Sequence, residues 1–394
     1  MKQAYAAIVG AGRTRFGKYW DESADKLIVE AGLNALTSVE KGISRKDIQA
    51  FYVGSLLLGR TSNMSTVGAY LSRELSMDVP VISFTTSSAA LFNAVRSEFD
   101  VAVVGGIEKM TDAFVNIQEL LTSTIDHFEG DAGFNLTAIH ATMMNRYMHD
   151  YDAKREAFAK VAIKNHHHAA NNTFAQFRNK ITLERVLGSP LVADPLRAME
   201  VAPSSDGAAA VVITKPELAK KFTDNPIFIV GSGQATDHIS LYSREGLTEM
   251  RSTRTAAERA FKGLDIKPAD VQIAEAHDGT TVEEILFLED ARFVKKGEAW
   301  KVVDSSIDSV QDSKNLPYKL GNGQELIVNC GGGLKADGNP IGATGVRQVY
   351  ELFTQLRGEA KERQVSIDKD LTTGLAYDSE GSGSVSTVHI LRRE

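Results

Sequence analysis

The sequence predicts an α/β protein built from two similar halves. Three observations point there. Strand-like and helix-like segments alternate from end to end, short motifs of the first half return in order in the second, and a long segment of different character interrupts the first half only. Alternation of this kind predicts helices packed against a mostly parallel sheet.

Taken in order, Tyr5 to Val9 is a short apolar run that predicts a strand, with Gly10-Ala11-Gly12 as a tight turn after it. Leu27, Ile28, Ala31, Ala35, Leu36 and Val39 recur at helical spacing. Phe51 to Gly54 predicts a strand, Leu91, Ala94 and Val95 a short helix, and Val101 to Val104 a buried strand running into Gly105-Gly106. Between Met110 and about Ala202 the chain turns rich in Met, His, Asn and Phe, with a helix over Ala157 to Ala170. A long excursion between strands commonly covers the mouth of a site. Asp206-Gly207 then leads the strand Ala208 to Ile213.

The second half repeats this pattern. Ile8-Val9-Gly10-Ala11-Gly12 returns as Ile229-Val230-Gly231-Ser232-Gly233, and Asp47-Ile48 as Asp270-Val271. A helix carrying Ala256, Ala257, Ala260 and Phe261 precedes the latter, and the chain again ends in a glycine-led strand, Gly381 through Ile390. A near-constant offset over several elements indicates duplication. The halves are placed at residues 1–222, with the insertion at about 111–200, and at residues 226–394.

Composition narrows the function. With 44 Lys and Arg against 51 Asp and Glu, the net charge is −7, with both signs interspersed, which argues against nucleic-acid binding. One cysteine excludes an intramolecular disulfide and a cysteine-rich metal site. No apolar run reaches the length of a membrane span and no signal peptide is read, so a cytoplasmic location is expected.

Several motifs carry candidate chemistry. Gly12 to Lys18 matches a phosphate-binding loop until Tyr19 stands where Ser or Thr should ligate magnesium. Gly10-Ala11-Gly12 and Gly231-Ser232-Gly233 lack the third glycine of a dinucleotide fingerprint. His166-His167-His168 cannot all face one ion from a helix, so a partly solvated helix is expected and no metal is assigned. His277-Asp278 follows a buried-type strand, where α/β folds place their sites and where a histidine capping the helix Val282 to Leu288 is the alternative. The glycine-rich run Gly331 to Gly345 leads into a helix at Val346 to Leu356, and its free amides suit an oxyanion.

On these residues the chain resembles the thiolases, in particular sterol-carrier-type thiolases and archaeal acetyl-CoA acetyltransferase-like proteins. The resemblance spans the whole length through Val103 to Met110, Lys164-Asn165-His166, Asp206 to Ala210, His277-Asp278 and Gly331 to Gly345. It implies a five-layered αβαβα fold, a homodimer or dimer of dimers, and a pocket for a coenzyme A thioester under the inserted region, with no covalently bound cofactor.

Family chemistry needs a nucleophilic cysteine at a helix start, a Gly-His-Pro histidine and a second acid/base cysteine. The nucleophile region here reads Phe84-Thr85-Thr86-Ser87-Ser88, and alignment puts either Ser88 or Phe84 at the nucleophile position. Gly-His-Pro has become Gly338-Asn339-Pro340, His-Asp-Cys-Phe has become His277-Asp278-Gly279-Thr280, and the sole Cys330 sits at neither place. Cys330 is expected to pack. Serine would need a positioned base, which Asn339 does not supply.

The candidate catalytic residues are therefore His277, Asn339 and Ser88. Gly338, Gly342, Gly381, Gly383 and Asp278 are candidates for the pocket and oxyanion sites. The leading expectation is a thiolase-like protein that binds acyl-CoA without Claisen-type turnover. One alternative is a nucleophile-independent C–C lyase, cleaving 3-hydroxyacyl-CoA by retro-aldol chemistry with a zinc-ribbon/OB-fold partner, for which Asp278, Tyr377 and Asp378 are acid/base candidates. The other is a non-catalytic scaffold subunit of a thiolase assembly.

Overall fold

The computed structural model describes residues 4–113, 116–307, 313–367 and 370–394. Residues 1–3 and 114–115 of the expected first half, and 308–312 and 368–369 of the second, lie outside the described residues.

The first half contributes β1 (Ala6–Arg13), β2 (Ala50–Gly54), β3 (Val81–Phe84), β4 (Val101–Glu108), the small hairpin β5 (Leu191–Ala193) and β6 (Leu196–Arg197), and β7 (Gly207–Thr214). The second contributes β8 (Ile227–Thr236), β9 (Ile273–Ala276), β10 (Tyr318–Lys319), β11 (Glu325–Val328), β12 (Thr373–Glu380) and β13 (Val385–Arg393). From the centre outward the first half runs β1-β7-β4-β2-β3 and the second β8-β13-β12-β9-β11, with β10 on the edge. The two orders are the same. β1 and β8 pair antiparallel, so both halves form one hydrogen-bonded sheet.

That sheet is mixed rather than mostly parallel. β2 lies parallel to β3 and β4, and β9 to β11 and β12, but β7 and β13 run antiparallel to both their neighbours. In the second half β12 and β13 are joined directly, whereas in the first the inserted helices lie between β4 and β7; in both the last strand returns antiparallel.

Strand alternation sorts the core into two shells. Ala7 and Val9 of β1 pack with Leu27, Ala31 and Ala35 of the outer helix Ala24–Thr37. Ala6, Ile8 and Ala11 face the other way, toward Ala90 and Leu91 of the helix Ser87–Ala94 and Val346, Val349 and Leu352 of the helix Thr344–Leu356. These two helices touch each other and strands of both halves. Outer helices, half-sheet, paired middle helices, half-sheet and outer helices make five layers. The inserted helices Leu136–Tyr151 and Arg155–Ala169 pack against the second half, on the helices Thr281–Asp290 and Ala299–Ile307.

The glycine pairs that open each half are not turns. Gly10 and Gly12 lie inside β1, and Gly231 and Gly233 inside β8. A Cβ on Gly12 would stand 2.2 Å from the Ala35 amide nitrogen, and one on Gly233 would stand 2.1 Å from the Ala256 carbonyl oxygen. Each pair lets an outer helix lie directly on its strand, the same device used twice.

His166, His167 and His168 are all buried, where a partly solvated helix was expected. Each meets a different backbone carbonyl, at Asn179, Ser313 and Asn329. Among the described residues no group of three His, Cys, Asp or Glu side chains is placed to hold a metal. Nor is any helix there long and apolar enough to cross a membrane.

Candidate active site

The C-terminal ends of β9 and β12 and the start of the helix Ser87–Ala94 converge on a cavity of ≈ 260 Å³. The inserted segment supplies its roof through Gln118, Leu121, Leu136 and His140.

β9 and β12 are parallel with Ala276 opposite Tyr377, which sets His277 beside Asp378. The His277 Nδ1 lies 2.8 Å from the Asp378 Oδ1. The other Asp378 oxygen accepts from the Ser88 hydroxyl at 2.6 Å. Ser88 in turn lies 3.1 Å from the Thr86 hydroxyl. Burial alone would push the His277 pKa down. The Asp378 hydrogen bond and the charges of Glu283, Asp378 and Asp278 outweigh it and carry the pKa up to about 9. At neutral pH the ring is an imidazolium, and with Nδ1 engaged its Nε2 is the donor left for a ligand.

The helix starts with Thr86 as its cap, the Thr86 hydroxyl accepting from the Ala89 amide. Neither aligned residue, Phe84 or Ser88, faces the cavity. Phe84 ends β3 and stacks on Tyr52 at 6.3 Å between ring centroids, away from the cavity. Ser87 and Ser88 are buried in the first helical turn. Thr85 and Thr86 line the cavity instead. Both donate to one carboxylate, Thr85 to the Glu380 Oε2 at 3.0 Å and Thr86 to the Glu380 Oε1 at 2.9 Å. Burial raises the pKa of Glu380 against the lowering effect of these hydroxyls.

Of the expected site residues, His277, Asn339 and Gly381 line the cavity. Thr344 donates to the Asn339 Oδ1 at 3.1 Å, which orients the amide and leaves its NH2 as the free end. Ser88 sits behind the cavity wall, held by Asp378. Asp278 turns away and accepts from the amides of Leu334 and Lys335, at 2.6 and 3.2 Å. It caps the helix Gly333–Asp337, so these amides of the glycine-rich run are already taken by a carboxylate of the chain. Gly342 is filled likewise, donating to the Glu108 Oε2. Gly338 and Gly383 take positive φ and lie against Phe16 and Met250. Tyr377 points to the outer layer, its hydroxyl 2.9 Å from the Thr253 hydroxyl. Cys330 is buried, donating to Glu275 at 3.2 Å, and burial raises its pKa well above the ordinary thiol value.

Sequence reasoning passed over Glu380, Glu283 and His140 and gave no role to Thr85 and Thr86 within the nucleophile region; all five line the cavity. Glu283 caps its own helix by accepting from the Thr280 amide at 2.7 Å. His140 is buried, and neither of its ring nitrogens has a hydrogen-bond partner. Its Nδ1 stands 3.5 Å from the Glu283 Oε2, and burial lowers its pKa. The missed signal for Glu380 was alternation: two residues after Asp378 on a strand, it shares Asp378's face.

Comparison with known proteins agrees with this architecture. Residues 6–217 match the thiolase N-terminal domain, and residues 233–393 match the thiolase C-terminal domain-like family. The acetyl-CoA acetyltransferase of Methanocaldococcus jannaschii is 36% identical over 98% of both chains. That of Methanothermobacter thermautotrophicus is 34% identical over 98% of this chain and 99% of its own. Among solved structures, an Ltp2–ChsH2(DUF35) aldolase superposes with a TM-score of 0.82 at 22% identity, over 98% of this chain and 97% of that one. A duplicated sheet order, two middle helices crossing between the halves and a cavity at a helix start thus coincide with matches to both family domains, and the chain belongs to the thiolase family.

Proposed function

We propose that this protein binds an acyl-CoA thioester in the cavity and does not run Claisen-type thiolase turnover. The observation that carries this reading is the chemistry of the helix start. Two threonine hydroxyls tied to Glu380 face the cavity there, and no thiol is among the described residues that line it. A hydroxyl, unlike a thiol, is essentially un-ionised at neutral pH and is a poor acyl acceptor. Ser88, the serine expected at the nucleophile position, is buried and donates to a carboxylate outside the cavity.

A second reading gives the same cavity a reaction. The imidazolium of His277 and the Asn339 amide are two donors suited to a thioester oxygen as it becomes an enolate oxygen. Retro-aldol cleavage of a 3-hydroxyacyl-CoA needs this stabilisation and proton transfer, but no acyl-enzyme. The 3-hydroxyl gives up its proton as the C2–C3 bond breaks, releasing an aldehyde or ketone. The shortened thioester leaves as the enolate and takes a proton at C2. The aldolase that superposes on the chain is itself a complex with a DUF35 protein. On that ground we propose a zinc-ribbon/OB-fold partner for this protein; self-association as a homodimer and a cytoplasmic location are proposed separately, from its family membership.

The test is direct. Purified protein is expected to bind acetyl-CoA by calorimetry and to give no thiolysis of acetoacetyl-CoA. With 3-hydroxyacyl-CoA, alone and with the partner, mass spectrometry is expected to find a released carbonyl compound. Thiolysis abolished by Ser88→Ala would overturn the first reading. Binding without any carbonyl release would overturn the second.

A further inference from the structure

We propose that Glu380 is the proton-transferring residue of this cavity, doing the work that a cysteine thiol does elsewhere in the family. The inference rests on the acyl-CoA reading above and deepens it by naming the group that acts at C2 of the thioester.

Among the described residues, four titratable side chains line the cavity: His140, His277, Glu283 and Glu380. Three have other tasks or the wrong character. His277 is an imidazolium held by Asp378, so it donates and does not accept. Glu283 accepts the amide and the hydroxyl of Thr280 at Oε2, and its Oε1 faces the His277 Nε2 at 4.0 Å, so its charge is set against the imidazolium. Burial lowers the pKa of His140 and so weakens it as a base.

Glu380 differs on each count. Both its oxygens receive only hydroxyl donors, Thr85 and Thr86, and each keeps a second lone pair. No cationic side chain pairs with it through a salt bridge among the described residues. It lies two residues beyond Asp378 on β12, on the same face, a spacing on the order of 7 Å along the strand. β12 thus carries both Glu380 and the Asp378 that holds His277, and His277 and Glu380 both line the cavity. Burial favours its protonated form more than in water, which makes its carboxylate a better base and its acid form a usable donor.

The step balances with this one group. The Glu380 carboxylate takes the proton of the 3-hydroxyl as the C2–C3 bond breaks. The bonding pair passes into the thioester as an enolate, whose oxygen faces His277 and Asn339. The Glu380 carboxylic acid then returns the same proton to C2. No oxidant, metal or second co-reactant is needed, and the carboxylate is restored.

The return step is measurable without turnover. Full-length protein is incubated with propionyl-CoA in D2O, and deuterium at C2 is followed by mass spectrometry, with binding measured separately by calorimetry. Wild type is expected to exchange. Glu380→Gln is expected to slow exchange by about 100-fold or more while leaving affinity within about threefold. Glu380→Asp, which keeps a carboxylate, is expected to recover part of the rate, and Cys330→Ser all of it. Failure of wild type to bind propionyl-CoA would overturn the acyl-CoA reading and this inference with it. Binding without exchange, or exchange that survives in folded Glu380→Gln, would overturn the role of Glu380 alone.

Discussion

At the scale of single residues, the His277–Asp378 pair makes the strongest demand on pH. The folded pKa of about 9 stands above the ordinary 6.5. A histidine shifted upward adds stability that is fully present below the ordinary value and is lost as pH rises through the folded one. The contribution is on the order of 3 kcal/mol at its full extent. Urea unfolding at pH 6 and at pH 9.5 is expected to show the protein weaker at the higher value, with His277→Gln flattening the difference. An unchanged slope in that variant would mean that the pair does not titrate as described. This pair was half legible in the chain. His277 was marked by its place after a buried strand, but its partner lies 101 residues on and only strand register brings them together. Glu380 was hidden for a different reason. A carboxylate at a strand end is ordinary, and it becomes chemical only beside the helix start that Thr85 and Thr86 form.

At the scale of elements, most strands and helices were readable from period and apolar content, while glycines misled. Gly-x-Gly after an apolar run reads as a turn, yet in β1 and β8 it is a seam for a crossing helix. The glycine-rich run from Gly331 reads as a ligand loop, yet Asp278 and Glu108 already occupy its amides. Sequence shows that a backbone is approached closely and does not show what approaches it. The packing reading has a sharp consequence. Gly12→Ala and Gly233→Ala place a methyl within 2.2 and 2.1 Å of backbone atoms that cannot swing aside, so each is expected to cost about 3 kcal/mol or more. Gly17, with nothing within 4 Å of its Cβ direction, is expected to accept alanine with little change. Thermal melts of the three variants compare them, and equal melting points for all three would rule out the seam.

At the scale of the whole molecule, the halves are joined by buried charge as well as by the β1–β8 pair. Arg13 of β1 donates two hydrogen bonds to Asp337, at 2.6 and 2.9 Å, and both side chains are buried. Arg347 pairs with Glu275 and reaches toward Asp337 at 3.6 Å. Removing Asp337 leaves the Arg13 guanidinium buried without its carboxylate, while Arg347 keeps Glu275. Asp337→Ala is therefore expected to cost about 3–5 kcal/mol. Because the bridge spans both halves, the wild-type halves are expected to unfold in one transition. Two separated transitions in wild-type calorimetry would contradict this. Duplication itself was visible in the sequence, since it preserves local motifs. The mixed direction of the sheet was not, because antiparallel return strands carry no mark that distinguishes them from parallel ones.

The repeated strand order has a further meaning. Each half sends one helix into the middle layer, and a symmetric pair of identical chains would have to keep both helix starts alike. Here the first opens on a cavity roofed by the insertion. At the second, the Val346 amide is closed by the Ser87 hydroxyl. One copy has become the workplace and the other its foundation, a division of labour that a single duplicated polypeptide can evolve and two identical chains cannot.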